Sequence, residues 1–141
     1  MSAFRFRLQL QARFRDCDLL GHVNNAVYFT YMEEARLGYW RTLTGGLPHG
    51  TVPGLILARA ECDFIRPIRP GERIEVWLGT TKIGKTSIAM DCEMLDDKGA
   101  LVAKGKTVMV TYDYSSAKPI PVPDWCRAKL EEYEGHNLSR A

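Results

Sequence analysis

Residues 15–36 read RDCDLLGHVNNAVYFTYMEEAR, and the period of the chain changes inside this stretch. Upstream, residues 4–15 (FRFRLQLQARFR) alternate strictly. Phe4, Phe6, Leu8, Leu10, Ala12 and Phe14 share one parity, and arginines and glutamines fill the other, as expected of a strand with one wet face. From Asn25 onward, Tyr28, Tyr31, Met32, Ala35 and Tyr39 fall on one face of a helix, wide enough to be buried along much of its length. Asn24 or Asn25 suits the N-cap and Gly45-Gly46 supplies the stop. Between strand and helix lie two aspartates, a thiol, a histidine and two asparagines, far more chemistry than a connecting turn needs.

Beyond a Gly/Pro-rich loop (TGGLPHGTVPG, residues 44–54), the pattern returns to strands. Ala58, Ala60, Cys62 and Phe64 alternate with Arg59, Glu61 and Asp63. Ile74, Val76 and Leu78 alternate with Arg73, Glu75 and Trp77, and Ile88, Met90, Cys92 and Met94 follow the same rule. RPGE (69–72), KIGKT (82–86) and DDKG (96–99) are turn signals, so these strands are predicted to be antiparallel. ALVAKGKTVMVTYDY (100–114) is a long β-rich run. The prolines of SSAKPIPVP (115–123) exclude that tail from a sheet interior, and Asp124 opens a short terminal helix. The expected fold is α+β: one long central helix wrapped by a curved antiparallel five-stranded sheet, in a single domain over residues 1–141, with a C-terminal tail and short helix at about 115–134.

Composition bounds the function. The chain has 141 residues, 45% hydrophobic and 26% charged, with a formal charge of +2, which fits one soluble globular domain. Its basic residues are scattered, so no nucleic-acid partner is expected. No apolar run nears the roughly 18 residues of a membrane span, and the amino terminus lacks a signal-peptide pattern. Cys17, Cys62, Cys92 and Cys126 are widely spaced, with no C-x-x-C pair, so a reduced cytoplasmic location is expected.

The junction supports three chemistries. Asp16, Cys17, Asp18 and His22 could ligate zinc, but one thiol and one imidazole do not complete a four-ligand shell, so no metal is expected. Cys17 is a poor nucleophile because flanking carboxylates raise its pKa. A carboxylate beside a helix N-terminus, by contrast, suits attack on a carbonyl: the free N–H groups favour a developing oxyanion, and the carboxylate can serve as nucleophile or as base toward water. Two adjacent anions repel, so the other aspartate is expected to be a structural partner that holds the loop.

The order of elements, with DCDLLGHVNNAVYFTYMEEAR at the junction, resembles the hotdog-fold acyl-CoA thioesterases, in the branch related to 4-hydroxybenzoyl-CoA thioesterase, YbgC and FadM. The residues carrying it are Asp16, Asp18, Gly21, His22, Val23, Asn25, Tyr28, Glu33 or Glu34, Ala35 and Arg36, with DFIRPIRPGERIEV (63–76) and KIGKTSIAMDCEM (82–94) matching later strands. The resemblance implies a cofactor-free enzyme acting on acyl-CoA, a homodimer or homotetramer with sites between subunits, Asp18 as the catalytic carboxylate and the Asn25 N–H as the carbonyl-polarising donor. His22 is expected to orient the loop or touch substrate. Tyr28 and Phe64, with Tyr31 and Met32, are candidates for the acyl pocket. Lys82, Lys85 and Thr86 are candidates for the coenzyme A site, with Arg66 and Arg69 behind them. HVNN lies nearer the FadM-like and plant acyl-carrier-protein branches than the hydroxybenzoyl enzyme. Leu20 stands where the plant enzymes carry asparagine, so their full polar triad does not transfer. Two rivals share the groove: a non-catalytic acyl-CoA-binding hotdog module, and a hotdog hydratase or dehydratase. Glu33 and Glu34 lie too far down the helix for the latter's carboxylate, and an ion pair with Arg36 is their plain expectation.

Overall fold

The computed structural model describes residues 4–45 and 54–139. Strand β1 (Phe6–Gln11) leads through one 3₁₀ turn (Phe14–Asp16) to helix α1 (Asn25–Thr44). Strands β2 (Gly54–Phe64), β3 (Arg73–Ile83), β4 (Ser87–Asp96) and β5 (Leu101–Asp113) follow, then a two-residue β6 (Lys118–Pro119) and helix α2 (Asp124–Glu134). All pairings are antiparallel, in the order β1-β3-β4-β5-β2, with β6 against the end of β5.

The α+β arrangement matches the sequence reading, with three adjustments. Phe14 leaves the alternation: the strand ends at Gln11, and the 3₁₀ turn puts Phe14 86% in solvent. The tail does join the sheet, but only as a short edge in which Pro119 pairs Tyr112 beyond the start of β4, where a missing N–H is harmless. In β2 the alternation slips at a bulge between Leu57 and Arg59, so Ala58 is exposed. Gly46 and loop residues 46–53 lie outside the described residues.

Helix α1 buries Tyr28, Tyr31, Met32, Ala35 and Tyr39, the predicted stripe, and also Arg36, Trp40 and Leu43. It stops where Gly45 adopts φ 77° and donates its N–H to the Arg41 carbonyl at 2.8 Å, a left-handed cap that suits glycine. The sheet supplies Ile74, Val76, Leu78, Ile88, Met90 and Met94 to the same core. Each such side chain contributes about 1.5–3 kcal/mol on burial. Gly105 on β5 lets the helix approach closely: a Cβ there would stand 2.5 Å from Met32 Sδ and 3.0 Å from the Glu61 carbonyl oxygen.

Helix α2 is tied down by polar contacts. Glu134 accepts from the buried Tyr39 hydroxyl at 2.6 Å and the Thr80 N–H at 3.0 Å, and Ile83 N–H donates to the Leu138 carbonyl at 2.9 Å. Among the described residues no helix is long and apolar enough to cross a membrane.

Candidate active site

The junction is built from its backbone outward. Val23 N–H donates to the Ile68 carbonyl and Ala12 N–H to the Glu72 carbonyl, both at 2.8 Å, which pins both ends of the segment to the β2–β3 connection. Between them, Asp18 N–H donates to the His22 carbonyl at 3.2 Å and Gly21 N–H to the Asp18 carbonyl at 3.0 Å, closing a tight turn. Gly21 takes φ 84° in it, a conformation a β-carbon resists.

The two aspartates part company. Asp16 turns inward and is buried, accepting from the Tyr31 hydroxyl at 2.8 Å and from the Arg13 N–H at 2.9 Å. Burial raises its pKa, but these bonds and the Arg13 guanidinium more than offset that and hold it below the usual carboxylate value. Asp18 stays half-exposed. Its carboxylate accepts from the Leu20 N–H and from Asn24 Nδ2, each at 2.9 Å. These two bonds, in that order, lower its pKa, and His22 adds a smaller electrostatic pull in the same direction. Asp18 is therefore an anion at neutral pH.

Asn24 is the residue whose role the sequence underdescribes. Its Oδ1 accepts from Ala26 N–H at 2.9 Å and so caps α1, while Nδ2 of the same amide holds Asp18. Val27 N–H also donates to the Asn24 carbonyl, at 2.9 Å. Asn25 is the first helical residue, and its N–H has no acceptor a turn earlier in the helix. One amide thus fixes a carboxylate beside a helix start whose first N–H is open and whose dipole favours negative charge.

The other expected site residues fall into two groups. Tyr28 and Phe64 meet edge to face at 4.9 Å, with Phe29 6.4 Å from Phe64, one turn below Asn25. Phe64 is still 44% exposed. His22 sits on the turn beside Asp18, its Nδ1 3.3 Å from the Val23 carbonyl. Lys82 lies near the end of β3, and Lys85 and Thr86 in the turn to β4, at the far end of β3 from the junction. Ten strand steps separate the ends of β3, roughly 33 Å. Within one protomer these lysines do not join Asp18. Arg66, a second candidate for the coenzyme, is committed elsewhere: it pairs with Glu72 at 2.9 Å and Asp96 at 2.8 Å. The expected ion pair among Glu33, Glu34 and Arg36 does not form within 4.0 Å.

Among the described residues no three His, Cys, Asp or Glu side chains converge to hold a metal ion, because Asp16 faces Tyr31 while Asp18 faces Leu20 and Asn24. Burial first, then Asp16 and Asp18, push the Cys17 thiol up, which keeps it protonated and a weak nucleophile.

Residues 12–130 match the family model of the thioesterase-like superfamily. The chain belongs to that superfamily. Thioester hydrolysis, the enzyme class expected from the sequence, is therefore the class of this hotdog chain. It is similar over 96% of its length to a Thermus thermophilus thioesterase solved with coenzyme A and zinc, at 36% identity, 99% coverage of that chain and a TM-score of 0.84. A predicted thioesterase from Bacillus stearothermophilus is 27% identical, with 96% and 98% of the two chains covered and a TM-score of 0.82. The uncharacterized protein YsmA of Bacillus subtilis is 27% identical over 123 residues, 87% of this chain and 83% of its own.

Proposed function

We propose that this thioesterase hydrolyses acyl-CoA to the free acid and coenzyme A, with Asp18 and the Asn25 N–H as its chemical pair. One observation carries this: the Asn24 amide caps α1 and binds the Asp18 carboxylate at once, so the anion and the helix start share one rigid hinge. The carbonyl oxygen of the thioester accepts from Asn25 N–H. Asp18 takes a proton from water as hydroxide adds to the carbonyl carbon, or attacks that carbon itself and forms a mixed anhydride that water then cleaves. The tetrahedral oxyanion is stabilised at the helix N-terminus, and the C–S bond breaks with the pair leaving on coenzyme A as thiolate, which needs no strong general acid. His22 orients the turn, and Tyr28, Phe64 and Phe29 flank the acyl group.

The coenzyme A-bound Thermus relative supports the carrier. The free edge of β2, with Ile56, Leu57 and Phe64 exposed, supports a homodimer or homotetramer that completes the site. In such an assembly the hairpin group Lys82, Lys85 and Thr86 meets the coenzyme's phosphates from a second copy. No cofactor is required, residues 1–141 act as one domain, and the cytoplasm is the compartment where acyl-CoA meets the enzyme.

The test is thiol release from short, long and aromatic acyl-CoAs by wild type, Asp18→Asn and Asp18→Ala. A loss on the order of 10²–10⁴ in kcat/KM in both variants supports the assignment. Binding of acyl-CoA without release by the wild type would instead favour the non-catalytic module. Single turnover in ¹⁸O-water separates the two Asp18 routes, because only the anhydride route puts label into the aspartate.

A further inference from the structure

Arg36 departs from every expectation for a surface helix position. It is only 8% exposed, yet its guanidinium has neither a hydrogen bond nor an ion pair among the described residues. Trp40 and Thr107, each 3% exposed, carry an indole N–H and a hydroxyl that also lack partners. Buried polar groups are ordinarily satisfied; the Trp40 and Thr107 atoms are fully enclosed, while the Arg36 guanidinium keeps some contact with solvent.

The three belong to one neighbourhood. Arg36 and Trp40 are four residues apart on α1 and so lie on one face. Below them, Phe64 pairs Ala103 and touches Tyr28, and the Gly105 position abuts Met32. The helix therefore advances in step with β5: four helical residues rise about 6 Å and two strand residues about 6.6 Å. The next level sets Arg36 beside Thr107. Two further contacts agree. Tyr39 bonds Thr80, and Thr80, Met90 and Thr107 form one row across β3, β4 and β5. Arg36 also exerts its electrostatic influence on Cys92, the register partner of Gly105. Burial lowers the pKa of the guanidinium, and the Glu33 charge, without touching it, offsets part of that.

The cluster offers a cation, an N–H donor and a hydroxyl, a set that fits an anion. From the helix start, half-exposed Phe29 on α1 and Phe64, Cys62 and Ala60 on β2 form an apolar strip leading towards it. Eleven helical residues from Asn25 to Arg36 span about 16 Å, and the Arg36 side chain leans back along the helix towards Asn25. We propose that Arg36, Trp40 and Thr107 form the far end of the acyl pocket and bind a carboxylate at the terminus of a medium-length acyl chain, so that the preferred substrates are ω-carboxyacyl thioesters. This rests on the thioesterase reading above.

The experiment compares kcat/KM for hexanoyl-, octanoyl-, decanoyl- and dodecanoyl-CoA with their ω-carboxyl counterparts, in wild type and Arg36→Met. At the best length the ω-carboxyl substrate exceeds its plain partner by about tenfold or more, one well-made charge-assisted contact, and Arg36→Met removes that ratio. A wild-type ratio of one or less, or a ratio kept by Arg36→Met, overturns the proposal. The ligand-free variant melts at or above wild type, since an unpaired buried charge has gone. A lower melting point with a weakened oligomer would assign Arg36 to a carboxylate of a second copy and overturn the proposal. If no thioester is cleaved, the thioesterase reading fails by itself. Stabilisation of wild type but not Arg36→Met by octanedioate, with octanoate as control, then supports the carboxylate site, and its absence overturns it.

Discussion

Replacing Asn24 by serine separates its two tasks. Serine caps a helix about as well as asparagine, whereas alanine costs about 1 kcal/mol. For a chain of 141 residues that loss lowers the melting temperature by about 3–4 °C. Asn24→Ser therefore melts close to wild type and Asn24→Ala some degrees lower. Neither replacement can reach Asp18 as the amide does from 2.9 Å. The carboxylate keeps the Leu20 N–H at 2.9 Å but gains freedom to rotate about it. Both variants are expected to lose about tenfold in kcat/KM, part of the roughly 10²–10⁴ that a positioned base supplies. The pH profile gives a second readout. The Leu20 N–H and then the Asn24 amide hold the Asp18 pKa down. Losing the amide raises that pKa, and since the anion is the active form, the acid limb of kcat/KM moves to higher pH in both variants. The assay is thiol release across pH 4–8 alongside thermal melts. Full activity in Asn24→Ser, with an unmoved acid limb, would show that Asn24 is a cap and nothing else.

Three further outcomes follow from the packing. Gly105→Ala places a methyl 2.5 Å from Met32 Sδ, 3.0 Å from the Glu61 carbonyl oxygen and 3.3 Å from Cys92 Sγ, an overpacking expected to cost about 1–3 kcal/mol in denaturant melts; an unchanged midpoint would refute the close helix–sheet approach. Glu134→Ala strands the Thr80 N–H and leaves the buried Tyr39 hydroxyl with the Thr80 hydroxyl alone, at about 1–3 kcal/mol, and hydrogen exchange should speed up at Thr80 and along α2 while β2 stays protected. Asp16 has a lowered pKa in the folded chain, so it adds stability above the unfolded value of about 3.9 that is lost as pH falls through the folded value. Urea midpoints should therefore drop more steeply below about pH 4 in wild type than in Asp16→Asn, and parallel curves would exclude Asp16 as an acid-sensitive contact.

Much of this molecule is written locally. The switch from period 2 to period 3.6 near Asn25 announces strand then helix, because burial on one face constrains each element's own pattern. The turn residues at Pro70-Gly71 and Asp96–Gly99 dictate antiparallel neighbours through backbone dihedrals alone. The junction was legible as a candidate site because a carboxylate and a helix N-terminus lie seven residues apart in the sequence, and the choice of Asp18 came from the resemblance.

Tertiary structure decided what depends on distant neighbours. Asp16 and Asp18 look alike in sequence, and the Tyr31 hydroxyl, nearly two turns inside α1, draws Asp16 inward while Asp18 stays at the surface of the turn. Arg66 reads as an available cation until Glu72, from the far end of its own β2–β3 connection, and Asp96, at the end of β4, pair with it. The lysines of the β3–β4 turn read as near neighbours of the site until the length of β3 carries them to the other end of the sheet. Arg36 reads as one half of a helical ion pair, and only the packing of α1 against the sheet buries it without that partner. Period and turn chemistry act over a few residues and survive in one dimension. Pairing and burial of charge depend on which segments the sheet brings together, and no single segment encodes that.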